Sequence, residues 1–300
     1  RCNSLTSGHR ACQGCGEALA ARAAIDAAYS AANGQIAVVN ATGCLEVFSC
    51  GFPDNSWGVP WLHSLFANAS AVASGVAAAF KAQGKNDIRV IAQGGDGGTT
   101  DIGMGCLSGM FDRNDDVLYI CYDNQAYMNT GVQRSSATPA LARTATTVPN
   151  SQYLGSDIHT GKNVPKIAMA HRIPYVATAS IGNLHDLEQK IAKAIRIKGA
   201  KYVHIHAPCP LGWGYATAAT IRIAKLAIKC GLYPLFEAEN GVMTSSTPIT
   251  EKVPVEEYLK TQKRFAHLFS KNASVTNIEL IQQIANNNIK KYKLEGGLDA

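Results

Sequence analysis

The sequence predicts an α/β fold: a doubly wound, mostly parallel sheet with a C-terminal extension. Three observations carry that expectation. Residues 36–39, 88–92, 117–122 and 202–206 are apolar and largely β-branched or aromatic, as strands covered on both faces are. Helical patterns alternate with these runs through short links, the order expected of β-α-β units. Glycine-rich, polar and cysteine-bearing turns follow the runs, at the carboxyl ends of strands, where open parallel sheets bind their ligands.

In chain order, Cys12-Gln13-Gly14-Cys15-Gly16 precedes an alanine-rich helix over 17–32. A C-x-x-C pair before a helix is either a thioredoxin-like dithiol or half of a metal or iron–sulfur site. No strand comes before it, which favours the second. The strand at 36–39 ends in Asn40-Ala41-Thr42-Gly43-Cys44, putting Cys44 in a glycine turn. Residues 52–71, with two Trp, two Pro and His63, read as a long loop walling a pocket or an interface. His63 fits a hydrogen-bonded structural role better than a proton shuttle. A small-residue helix over 69–83 then leads through a turn into the strand at 88–92.

The stretch from Gly94 to Asn129 organises the chain. Gly95, Gly97 and Gly98, with Thr99 after them, let the backbone turn sharply and approach a ligand. A helix starting near Asp101 aims its free N–H groups at whatever lies over the glycines. The strand at 117–122 ends in Asp123-Asn124. Asp96 and Asn124 therefore stand at two strand ends beside a phosphate-sized anion hole. Hard oxygen ligands next to a diphosphate are how Mg²⁺ is usually held.

A polar segment follows at 129–139, then a short helix at 166–171, a strand at 173–179 and a helix at 183–198. The strand at 202–206 ends in Ala207-Pro208-Cys209-Pro210, and an amphipathic helix spans 215–231. Residues 1–231 are read as the cofactor-binding domain. Residues 232–300 are read as an arm that shows no site of its own: a strand-like 233–237, a hairpin region and helices at 255–261 and 277–289. Its expected role is to clasp a neighbouring subunit, with a flexible tail at 296–300.

Composition narrows the partners. The chain has 300 residues, 46% hydrophobic and only 17% charged, enough for a sizeable core and consistent with a surface that meets other subunits. The formal charge of +6 is dispersed, without the aromatic-interleaved basic stripe of nucleic-acid binders. An acidic redox protein suits such a surface better. No apolar run reaches the about eighteen residues of a membrane span, and no secretory signal is visible, so the expected location is cytoplasmic.

Nine cysteines, an odd number without export signals, argue against a disulfide framework and for metal or redox use. Cys12, Cys15, Cys44 and Cys209 can meet at one sheet edge. Four thiolates suit a [4Fe–4S] cluster or Zn²⁺, and spacing alone does not choose. Cys106, Cys121 and Cys230 read as small buried hydrophobes, Cys2 as unimportant, and Cys50 as a weaker fifth candidate ligand.

These motifs carry a resemblance. GDG followed about thirty residues later by Asn looks like the thiamine diphosphate signature. GDGGTTDIG with YDNQAYMNTGVQRSSATP resembles the β subunits of 2-oxoacid:ferredoxin oxidoreductases, especially the pyruvate type. The resemblance implies that Asp96, Asn124 and the Ala126 carbonyl hold Mg²⁺. It implies that Thr42, Gly43, Cys44, Gly95, Gly97, Gly98, Thr99 and Asn129 line the thiamine diphosphate, with Asn129 facing the 2-oxoacid as the catalytic residue. CxGCGE, ATGC and APCP match the family's cluster motifs, so Cys12, Cys15, Cys44 and Cys209 are expected to hold a [4Fe–4S] cluster. The implied activity is oxidation of pyruvate to acetyl-CoA and CO2, with ferredoxin as acceptor; oxalate and branched 2-oxoacids are the alternatives. Glu17 and Glu46 lie beside expected cluster ligands, so the catalytic Glu is expected from a pyrimidine-domain α subunit. A multi-cluster ferredoxin-like subunit and coenzyme A complete the expected partners. An electron-transfer subunit without thiamine is the reading from another class, and it leaves Asp96, Asn124 and the glycines unexplained.

Overall fold

The computed structural model describes residues 3–51, 53–150, 152, 154–156, 161–271 and 274–296; Cys2 and the terminal 297–300 lie outside them. Eight strands form one sheet: β1 (Ile36–Ala41), β2 (Trp61–Ser64), β3 (Arg89–Gly95), β4 (Val117–Asp123), β5 (Tyr175–Ser180), β6 (Lys201–His206), β7 (Phe236–Glu239) and β8 (Val242–Ser246). Their order is β2-β1-β3-β4-β6-β5-β7-β8. The first six pair in parallel, and β7 and β8 add an antiparallel edge. The expected doubly wound, mostly parallel sheet is thus present.

The period-two alternation of strand side chains sorts the core onto two faces. Leu118, Ile120 and Tyr122 of β4 pack with Ile25 of α1 (Gly16–Ala31) and with Leu187, Ile191 and Ile195 of α6 (Leu184–Arg196). Val117, Tyr119 and Cys121 face the other way. There they meet Ala73 of α3 (Ala69–Ala82), Met110 and Phe111 of α4 (Met104–Asp112) and Ala168 of α5 (Val164–Ala170). Each fully buried Leu, Ile or Phe in these layers contributes about 1.5–3 kcal/mol. A third cluster joins Trp213 of α7 (Pro210–Trp213) to α8 (Thr220–Lys229), α9 (Val255–Leu259) and α10 (Val275–Lys291).

Four local expectations are corrected. The loop at 52–71 contains the short edge strand β2, whose register Val38 opposite Trp61 comes from pairing with β1, not from its own proline-flanked sequence. The helix expected near Asp101 begins earlier, as a π-helical turn over Gly97–Ile102 that leads into α4. Such turns are common at functional sites. The helix expected over 215–231 is broken, because Gly214 lies in the left-handed region (φ 71°) and ends α7, and α8 starts only at Thr220. Cys44 begins a short helix, α2 (Cys44–Ser49), directly after Gly43. Residues beyond 231 continue the same sheet, as β7 pairs with β5. No helix among the described residues is long and apolar enough to cross a membrane.

Candidate active site

The carboxyl ends of β3 and β4 bring the two expected metal ligands together. Gly95 lies opposite Tyr122 in the ladder, so Asp96 and Asn124 each follow the end of adjacent strands. Asp96 is fully buried and Asn124 nearly so. Ser135 donates its hydroxyl to Asp96 Oδ2 at 2.5 Å, and Asn124 Nδ2 donates to Glu17 Oε2 at 3.2 Å. The remaining oxygens, Asp96 Oδ1 and Asn124 Oδ1, are buried without a hydrogen-bond partner. Leaving two buried acceptors unmade costs about 1–3 kcal/mol each, and a hard dication with oxygen preference would satisfy both. The residues present therefore fit Mg²⁺. Ala126, the third expected ligand through its carbonyl, is buried in the same loop.

Electrostatics points the same way. Burial, then Asp123, then Glu17 push the Asp96 carboxyl well above its usual value. Burial likewise pushes Glu17 up to about 7. Asp123 is compensated by His204 at 3.0 Å. Burial works against a charged imidazole there, but Cys121 and Asp123 hold His204 well above its usual value. Three buried carboxyl groups are set against one imidazole and, interacting with Asp123, the buried Arg264 guanidinium, so acidic groups outnumber basic ones in the site.

The glycine turn supplies the anion side. Gly97, Gly98, Thr99 and Thr100 are buried at the π-helical turn. Thr99 Oγ1 donates to the Gly95 carbonyl at 2.7 Å, while the buried Thr100 hydroxyl has no partner, leaving a donor for a phosphate oxygen. Asp101 closes the loop from below: Tyr127, the Ser136 backbone N–H and Lys162 all donate to it. Thr42 and Gly43 lie at the end of β1 one strand away, and Thr42 Oγ1 is 2.8 Å from His63 Nε2. His63 is thus hydrogen-bonded. Asn129 is exposed at the rim of the same loop.

The four expected sulfur ligands converge. Gly16, next to Cys15, donates its backbone N–H to the Pro208 carbonyl at 3.2 Å, joining the C-x-x-C turn to the Cys209 loop. A Cβ on Gly16 would stand 2.5 Å from that carbonyl oxygen, so only glycine permits this approach. Burial, then Glu17, Cys209, Cys15 and Cys12, push the Cys44 thiol up. Burial, Glu17 and Cys209 push Cys15 up to about 12, and burial, Glu17 and Cys12 raise Cys209. Cys15, Cys44 and Cys209, each held protonated by burial and by neighbouring negative charge, form a set that needs cations to ionise. Cys15 and Cys209 cap their helices, accepting the N–H of Ala18 and of Gly212 at 3.4 Å. Among the described residues, no three His, Cys, Asp or Glu side chains form a ready-made cage for a metal ion. Cys50 is exposed, Cys121 and Cys230 are buried as expected, and Cys106 is only half-buried, because α4 turns that side away from the sheet.

Five residues of the site are not legible in the sequence. Glu17, there only a neighbour of cysteines, holds a metal-ligand candidate. Ser135, the Asp123–His204 pair and Trp213, whose Nε1 donates to the Asn124 carbonyl at 2.8 Å, carry no local motif. The only sequence signal for Glu17 was its place in the first turn of α1, where an acidic residue complements the helix N-terminus.

Comparison with known proteins identifies relatives of this chain. Residues 41–205 match the family described as thiamine pyrophosphate enzyme, C-terminal TPP binding domain. The chain is 51% identical to pyruvate synthase subunit PorB of Methanosarcina barkeri, over 97% of each chain. It is 41% identical to ketoisovalerate oxidoreductase subunit VorB of Pyrococcus abyssi, over 90% of this chain and 87% of that one. In fold it resembles a solved 2-oxoglutarate:ferredoxin oxidoreductase from Magnetococcus marinus, with TM-score 0.58 and 20% identity, over 74% of this chain and 79% of that one.

Proposed function

Because this chain belongs to the PorB family of pyruvate synthase subunits, a branch of the 2-oxoacid:ferredoxin oxidoreductases, we propose that it binds thiamine diphosphate and Mg²⁺, carries a [4Fe–4S] cluster and oxidises pyruvate. The observation that carries the reading is the pair of orphaned buried oxygens, Asp96 Oδ1 and Asn124 Oδ1, beside four converging thiols. Asp96, Asn124 and the Ala126 carbonyl would hold Mg²⁺. Gly95, Gly97, Gly98 and Thr99, with Thr42, Gly43 and Cys44, would line the thiamine diphosphate, and Cys12, Cys15, Cys44 and Cys209 would hold the cluster.

Bound thiamine diphosphate supplies the carbon centre that lets a 2-oxoacid lose CO2. The chain's own residues do the rest. The buried glycine turn excludes water from the diphosphate, and Ser135 fixes the Asp96 rotamer. Asn129, exposed at the rim, would meet the acid. In the balanced reaction, pyruvate, coenzyme A and two oxidised ferredoxins give acetyl-CoA, CO2, a proton and two reduced ferredoxins. The bond between the carboxylate and keto carbons breaks, a thioester forms, and two electrons leave one at a time. Exposed Cys12 puts the sulfur site near the surface, where a multi-cluster partner could collect them. The catalytic Glu of the pyrimidine side is assigned to a partner α subunit, and the complex to the cytoplasm.

Pyruvate is preferred over branched 2-oxoacids because the PorB relative is the more similar of the two compared, 51% against 41%. The test is ferredoxin reduction by the assembled complex with pyruvate, a branched 2-oxoacid and oxalate, with and without coenzyme A. Pyruvate with coenzyme A should be fastest. Reduction that needs no thiamine diphosphate would establish an electron-carrier subunit instead.

A further inference from the structure

The segment beyond residue 231 reaches into the site through one buried cation. Arg264 is only 5% exposed. Its guanidinium lies 3.6 Å above the Trp213 ring and donates to Gln262 Oε1 at 2.8 Å, Gln125 Oε1 at 2.7 Å and the Tyr258 hydroxyl at 3.2 Å. None of these hydrogen bonds goes to a carboxylate. A buried guanidinium held by neutral acceptors and an aromatic face carries a large desolvation cost, so its place demands an explanation beyond packing.

Its contacts supply one. Trp213, fully buried, donates Nε1–H to the Asn124 carbonyl at 2.8 Å. It also ends the short helix that begins after Cys209, with its own backbone N–H on the Cys209 carbonyl at 3.0 Å. Gln125, between the metal-ligand candidates Asn124 and Ala126, sits in the left-handed region at φ 67°. A non-glycine residue stays there only where its surroundings fix it. Two further contacts tie the same three segments together. A Cβ at Gly212 would collide with Met128 Sδ, so the cofactor loop lies directly on α7, and Lys263 donates its N–H to the Gly214 carbonyl at 3.2 Å.

We infer that Trp213 and Arg264 are positioning residues that lock the Asn124–Ala126 loop to the Cys209 turn, fixing the metal site and the sulfur site in one rigid frame. The inference rests on the cofactor reading above. Arg264 presses Trp213 into place and grips Gln125; Trp213 holds the Asn124 carbonyl so that the side-chain oxygen faces the metal. Neither residue touches the reacting atoms.

The test is Mg²⁺ titration at saturating thiamine diphosphate, by calorimetry, in the complex assembled with its partner subunits. Trp213→Phe keeps the ring and removes only the N–H, so it guards against simple misfolding of Arg264→Gln. Each variant should weaken Mg²⁺ binding about fivefold, and the double variant should fall well short of the product of the two, because they act through one frame. Ile195→Val, a core change at the C-terminal end of α6, beside the amino ends of the strands, serves as the stability control and should bind as wild type. Wild-type affinity in Trp213→Phe and Arg264→Gln, full additivity, or an equal loss in Ile195→Val would overturn the inference. Asp96→Asn separates the two levels: its failure to bind Mg²⁺ leaves only the frame in question, whereas wild-type binding overturns the cofactor reading and the frame together.

Discussion

Asn124 points its amide nitrogen at Glu17, 3.2 Å away and 107 residues earlier in the chain, and so leaves its buried oxygen without a hydrogen-bond partner. An amide can present either end. The Glu17 carboxyl decides which, because its oxygen accepts a donor and rejects another acceptor.

Replacing Glu17 by Ala should therefore release the Asn124 amide and leave its N–H group without a partner. Mg²⁺ affinity in the presence of thiamine diphosphate should fall about tenfold, or ~1.4 kcal/mol. Glu17→Gln keeps an accepting oxygen and should recover most of the loss. Calorimetric titration of both variants checks this, and equal affinities for the two would refute the orienting role.

The sulfur quartet makes a prediction about iron. Alanine at Cys44 or Cys209 removes one corner of the set and should strip bound iron, acid-labile sulfide and broad visible absorption together. Cys50→Ala, an exposed thiol outside the quartet, should leave all three unchanged. Retention of iron by Cys209→Ala with its loss in Cys50→Ala would reverse the ligand assignment.

His206 sets an acid limit on stability. Burial pushes its imidazole down from 6.5 to about 3. The folded chain thus holds it neutral where the unfolded chain is protonated. Its contribution is complete above pH 6.5 and is lost as pH falls toward about 3, on the order of 5 kcal/mol in all. His206 stacks 4.6 Å from the Tyr233 ring, so Phe can replace it in shape. Denaturant melts of His206→Phe should show a flatter slope between pH 3 and 6.5, and an unchanged slope would contradict the assignment.

What the sequence made legible follows from locality. The Gly94–Asn129 stretch could be read because glycines, a strand and two oxygen side chains occur within one β-α-β unit, where topology alone places Asp96 near Asn124. The four cysteines were readable because each lies at a strand or helix end on the same rim. Glu17 was not, since its function depends on a hydrogen bond across 107 residues. Strand β2 was hidden because four residues flanked by proline acquire strand character only by pairing with β1. Arg264 was hidden for the same reason: a lone Arg in a polar stretch gives no sign that it will be buried against Trp213.

The most direct measurement is anomalous diffraction from crystals of the assembled complex grown with thiamine diphosphate and Mn²⁺ in place of Mg²⁺. One manganese peak should appear, touching Asp96 Oδ1 and Asn124 Oδ1 with diphosphate oxygens completing an octahedron. A peak that engages neither oxygen, or bound thiamine diphosphate with both oxygens still unpartnered, would contradict the account.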